Sequence, residues 1–160
     1  MKKLIALVSL AISFNATASG WRYIERVDPI TDIETKMLAK EESNPENEFL
    51  KHRLFAGCIG EYSVLTVEIP FFLTLKDEMK LTYRFDKGEV RTETCSVFDK
   101  GLLCSNQDTT REMHKKLLSS KYVHFRIELN KSSEQFSVDL EGFQGALSRR
   151  PMPCLASKKS

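Results

Sequence analysis

The sequence predicts a mainly β domain, an antiparallel sheet or β-sandwich-like arrangement with one or two short helices and two disulfides. Three observations carry that expectation. Apolar and polar residues alternate through Met79-Lys-Leu-Thr-Tyr-Arg-Phe85 and again from Tyr122 to Leu129, the period of a strand with one buried face. Asp-Lys-Gly occurs at 86–88 and at 99–101, marking turns beside such segments. Four cysteines follow an N-terminal segment with the order of an export signal.

That segment opens with Lys2 and Lys3, continues as an apolar run from Leu4 to Phe14, and ends in Ala16-Thr17-Ala18. Positive, apolar and small residues in that order are read by signal peptidase, so cleavage is expected after Ala18 or Ser19. Residues 1–18 are then a signal peptide and 19–160 a single β-rich periplasmic domain. The apolar run is shorter than the roughly 20 residues a membrane-spanning helix needs, and neither a stop-transfer cluster nor a cysteine for lipid attachment lies beside it. No stable membrane anchor is expected. Removing Lys2 and Lys3 from the 24 basic residues leaves 22, against 22 acidic ones. A near-neutral domain lacks the positive field that nucleic-acid binding uses.

Trp21 to Val27 reads as a first strand, broken at Asp28-Pro29. Asp32 to Lys40 is ambiguous: Thr31 is placed to cap a helix, yet Ile33, Thr35, Met37 and Ala39 alternate. Glu41 to Glu48 is polar, contains Pro45, and reads as an exposed loop. Leu50–Ile59 and Tyr62–Ile69 suggest a hairpin about Gly60-Glu61. Pro70-Phe71-Phe72-Leu73, the densest apolar patch outside the signal, reads as a core strand rather than a partner-binding edge. Met79–Phe85, Glu89–Phe98 and Leu102–Ser105 form a three-stranded meander around the two Asp-Lys-Gly turns. Thr109-x-x-Glu112 has the pattern of a capping box, opening a helix with Met113, Leu117 and Leu118 on its apolar face. Two further strands turn at Asn130–Ser133, and Glu141–Arg149 suggests a short helix stopped by Pro151.

In a hairpin, directly opposed residues share a constant index sum. A two-residue loop at Asp99-Lys100, or a four-residue loop over Phe98 to Gly101, gives 199, which is also the sum of Cys95 and Cys104, so these two face each other at a separation that suits a disulfide. Cys58 and Cys154 remain as the second pair. Zinc sites use short paired spacings such as Cys-x2-Cys, and none occurs here; no metal and no cofactor are expected.

His52, His114 and His124 are available as bases, but none sits in a catalytic motif. All three read as surface residues, His114 on the polar side of its helix and His124 on the polar face of its strand. Carboxylate pairs such as Asp77/Glu78 and Asp86/Glu89 read as solvated turn acids rather than as an acid–base pair. There is no Gly-x-Ser-x-Gly, phosphate-binding glycine loop or His-Glu-x-x-His. Arg84 is either a solvent-side residue or a bidentate holder of a carboxylate.

The order of features resembles a known family. It runs from Trp21 through Asp28-Pro29-Ile30-Thr31-Asp32, Cys58, Val64–Ile69 and Tyr83-Arg84-Phe85-Asp86 to Phe136–Phe143, Ala146-Leu147 and Cys154. It is similar to the VasI-like family of small exported bacterial proteins, which includes type VI secretion-associated members and prophage-borne or stand-alone periplasmic relatives. The resemblance implies strand after Asp32, pairing of Cys58 with Cys154, and recurrent positions at Trp21, Asp32 and Arg84 that stand as candidate binding residues. It carries over no enzymatic activity. A non-enzymatic periplasmic accessory or binding protein is therefore expected, its partner an envelope protein or cell-wall component. The alternatives are an inhibitor of a lysozyme or other envelope-acting factor, and a cell-wall hydrolase whose site assembles only in the fold.

Overall fold

The structure, a computed structural model, describes residues 20–44, 47–71, 73 and 77–155. The signal segment, Phe72 and the Lys158-Lys159 tail lie outside the described residues. In chain order the elements are β1 (Arg22–Val27), β2 (Glu34–Asn44), β3 (Asn47–Ile59), β4 (Tyr62–Glu68), β5 (Glu78–Phe85), β6 (Arg91–Phe98), β7 (Gly101–Cys104), α1 (Gln107–Ser119), β8 (Tyr122–Glu128), β9 (Ser133–Asp139) and α2 (Phe143–Arg149). A short 3-10 turn covers Pro153–Leu155. The strands form one sheet in the order β1-β2-β3-β4-β7-β6-β5-β8-β9, antiparallel at every pairing. The mainly β fold class is the one expected, in its single-sheet form.

The sheet curls until its last strand meets the second and third. The Nε2 of His52 on β3 lies 2.6 Å from Glu134 Oε1 on β9, Lys40 Nζ donates to the Asp139 carbonyl at 2.6 Å, and the Asp139 N–H donates to Glu42 Oε1 at 3.3 Å. Inside the curl, Leu38, Leu54, Ala56, Leu65, Val67, Leu81, Tyr83, Leu102, Val123, Phe125, Ile127 and Val138 are all buried. They share one face because strand side chains alternate. Met113 and Leu117 of α1 and Phe143 and Ala146 of α2 complete this core. Trp21 closes one end, its ring edge-on to Phe143 at 4.8 Å and its Nε1–H donating to the Glu141 carbonyl at 3.1 Å.

Both disulfides have the expected partners. Cys95 and Cys104 stand 4.4 Å apart at Cα, the spacing of a non-hydrogen-bonded antiparallel pair, and the loop is Asp99-Lys100, with Phe98 paired to Gly101. Cys58–Cys154, with Cα atoms 5.8 Å apart, fastens the C-terminal turn to β3. Three turns place an aspartate at positive φ, Asp32, Asp86 and Asp99, a residue type whose short polar side chain tolerates that region.

Four expectations are corrected. Glu41 to Glu48 is not a loop: Glu41–Asn44 and Asn47–Glu48 are the distal ladder of the β2–β3 hairpin, where Glu41 meets Lys51 at 2.7 Å and Arg53 at 2.8 Å. Cross-strand pairing holds polar residues in strand conformation there without burying them. Pro70, Phe71 and Leu73, expected in a core strand, are not in a strand. Ile69 and Leu73 instead donate to the Lys100 and Asp99 carbonyls of the β6–β7 turn, and Leu73 is buried while Phe71 stays exposed. The helix opens not at Thr109 but at Gln107, capped by Asn106, whose side chain accepts from Asp108 N and Thr109 N at 3.2 Å. Thr110, Met113, His114 and Leu117 of this helix face inward, and Leu118 is exposed. His114, expected on the polar side, is therefore buried.

Candidate functional site

The helices cover the inner face of the sheet, so the outer face of β5, β8 and β9 is open. Register brings the even-numbered residues of β5 and β8 and the odd-numbered ones of β9 onto it. Arg84 lies opposite His124, and His124 opposite Ser137; one row along, Thr82 lies opposite Arg126, and Arg126 opposite Gln135. These six side chains, with Val90 at the lip, line a groove of about 400 Å³. Tyr83, Phe125 and Phe136 border it through their backbones, because alternation sends their rings into the core. His124 Nδ1 and Ser137 Oγ share a hydrogen bond of 2.6 Å, which orients the imidazole, and the Tyr122 ring lies beside it at 6.3 Å. Arg126, which lines the groove, has its Nε 3.0 Å from Glu128 Oε1. No carboxylate lines the groove. Arg84 has no acidic partner among the described residues.

A second cleft, about 410 Å³, lies between α1 and the β5–β6 turn. Tyr83, Phe85 and Met113 form its floor, and burial pushes the Tyr83 phenol above its ordinary value. Its rim neutralises itself: Arg91 is 2.7 Å from Glu112 and 3.5 Å from Glu89, with Lys116 alongside.

The three histidines divide between these surroundings. His52 and His114, both expected at the surface, are buried. His52 stacks on Phe136 with ring centroids 4.3 Å apart and joins β3 to β9 through Glu134. His114 Nδ1 faces the Thr110 carbonyl at 2.7 Å and Ser63 Oγ at 3.0 Å, while its Nε2 is buried without a partner. Burial, with no acid to offset it, lowers its pKa to about 4. Ser63 and His114 resemble part of a nucleophilic dyad only in composition, since Ser63 is also wholly buried. Gln107 seals this corner, its amide pairing with both the N–H and the carbonyl of Ser63. His124 remains as the histidine that lines a cleft.

Of the candidate binding residues, Arg84 alone lines either groove described above. Trp21 is a core residue, and Asp32 sits in the β1–β2 turn at the other end of β1. The structure does not bring the three together. That turn has its own character. Asp28 Oδ1 accepts from Ile30 N and Thr31 N at 2.8 and 3.2 Å, which holds its carboxyl below the usual range, and Asp28 N donates to the Ile33 carbonyl at 3.0 Å. The fixed turn holds Ile30 90 % exposed, beside exposed Val27, Ile33 and Tyr62. Gly60 joins the two hairpin ends, donating to the Glu34 carbonyl at 2.7 Å.

Sequence reasoning isolated Arg84 but missed Thr82, Arg126, Gln135 and Ser137. The available signal was their shared polar parity on three strands, and it locates nothing until the register is known. Among the described residues no group of three or more His, Cys, Asp or Glu side chains is placed to hold a metal ion, and no helix is long and apolar enough to cross a membrane. The chain matches no family model, no curated protein and no solved structure.

Proposed function

We propose that this is an exported, non-enzymatic periplasmic accessory protein of the VasI-like kind, which docks to an envelope protein through its Val27-Ile30-Ile33-Tyr62 end. The observation that carries the reading is a rigid turn presenting a large aliphatic side chain almost wholly to solvent. Apolar side chains gathered at one exposed end, on backbone already fixed, form the core of a protein interface at little ordering cost. Two disulfides suit an oxidising compartment, in keeping with the export signal. Binding is favoured over hydrolysis because the imidazole–carboxylate pair, His52–Glu134, has its histidine buried, while His124 lines a groove with no acid in its wall.

The test places a photo-crosslinking residue at Thr31 in the exported protein and compares chains with Ile30 native, Ile30→Leu and Ile30→Asp. A single envelope protein should crosslink to the first two and be lost from the third. Equal crosslinking by all three, or none by any, would overturn the assignment.

A further inference from the structure

We infer that the β5–β8–β9 groove is a carboxylate-binding site for an acidic peptide, separate from the apolar end. Directly opposed side chains on antiparallel strands start about 5 Å apart at Cβ and diagonal ones about 7–8 Å. Arg84 and Arg126 are diagonal neighbours, with Thr82 and His124 at the other two corners of the same square. Two guanidinium forks at that spacing reach one carboxylate, or two carboxylates of one ligand. The charge of this square is only partly compensated: Arg84 has no acidic partner among the described residues, Arg126 is paired with Glu128 at 3.0 Å, and the lining itself contains no acid. An arginine without an acidic partner, beside a second whose carboxylate partner stands outside the groove, makes this polar wall complementary to an anion.

The remaining lining narrows the anion. The planar guanidinium fork matches the two coplanar oxygens of a carboxylate in bidentate fashion. Gln135, Ser137 and Thr82 offer amide and hydroxyl partners of the kind a peptide backbone uses. Val90 supplies one apolar contact at the lip, too little for an acyl chain. The ring of His124 is already oriented by Ser137, so its other nitrogen meets a ligand without first being ordered. In the periplasm the cell-wall stem peptide, rich in free carboxylates, has this chemistry.

Calorimetric titration of the full oxidised mature chain tests the site, using an alanyl-glutamyl-diaminopimelate tripeptide, its methyl-ester form, and inorganic phosphate as probes. The free tripeptide should bind saturably. Arg84→Gln and Arg126→Gln should each weaken it about tenfold, the loss of one charged hydrogen-bonding partner, and Arg84→Lys should not restore Arg84 affinity. The ester should show no saturable binding, and phosphate should bind more weakly than the tripeptide. Unchanged Trp21 emission in each variant shows that the fold is kept. No tripeptide binding, equal binding by the ester, tighter binding of phosphate, or indifference to both arginine substitutions would each overturn the inference. Ile30→Asp should leave the titration unchanged, so failure here is distinct from failure of the docking end.

Discussion

Replacing His114 by leucine tests whether the buried corner between α1 and β4 sets the acid sensitivity of the fold. In the native state the imidazole is buried, with Nδ1 on the Thr110 carbonyl and Nε2 unpartnered, and its pKa falls from 6.5 to about 4. The unfolded chain therefore binds a proton at position 114 that the native state refuses between those values. Stability attributable to this group is retained at neutral pH and lost as pH falls through 6.5, the loss levelling off near 4. Each unit inside that window is worth about 1.4 kcal/mol. Allowing for partial protonation at its upper edge, the change from pH 7 to pH 5 is about 2 kcal/mol. Urea denaturation of the oxidised protein at the two pH values should show that loss, and the same pair of measurements on His114→Leu should be flatter by about 2 kcal/mol. Subtracting one from the other removes the remaining histidines and the carboxylates. His114→Gln, which also does not titrate, guards against poor packing of leucine. An equal loss in all three proteins would refute the reasoning.

Two further outcomes follow from the backbone. Cys58 and Cys154 are 96 residues apart and Cys95 and Cys104 only 9, so on the chain-entropy model removing the first bridge costs roughly 4–5 kcal/mol and the second about 3; denaturation of the paired Cys→Ser variants that ranked them the other way would count against that account. At Gly57 an added Cβ would stand 2.0 Å from the Lys36 carbonyl oxygen and 2.7 Å from Met37 Cα. Gly57→Ala must push β2 off β3 and should cost about 3 kcal/mol or more, whereas Gly145→Ala in α2, where the nearest atom is the mobile end of Arg149 at 3.8 Å, should gain up to about 1 kcal/mol; thermal melts of the two variants decide it.

The parts of the fold legible in the sequence are those set by local physics. Alternation through Met79–Phe85 reported one buried face directly, and the index sum of 199 found the Cys95–Cys104 pair because a two-residue loop at Asp99-Lys100 and a four-residue loop over Phe98 to Gly101 fix the same register. The illegible parts depend on what lies across the chain. Glu41 to Glu48 looks like loop because nothing in its polar composition shows that Lys51 and Arg53 stand opposite. The inward turn of His114 was within reach: Thr110, Met113, His114 and Leu117 follow the i, i+3, i+4, i+7 spacing of a buried helical face. Reading the helix from a Thr109 cap obscured it, since Asn106 is an equally good cap two residues before Asp108. For the groove, parity was visible in every strand, but the pairing of Arg84 with His124 and of Thr82 with Arg126 is a tertiary fact.

The curl of the sheet and the groove are coupled through β9. Its side chains alternate: Glu134 and Phe136 point inward, where one holds His52 at 2.6 Å and the other stacks on its ring at 4.3 Å, and Gln135 and Ser137 point outward into the groove. A strand cannot fix one set without fixing the other, because a single-residue slip would exchange the faces. The inward contacts therefore pin β9 in the register that sets Ser137 beside His124 and Gln135 beside Arg126. Burying His52 against an acid and an aromatic ring makes mechanical sense on these terms. Buried there, it fixes the register that the outer face of the last strand presents.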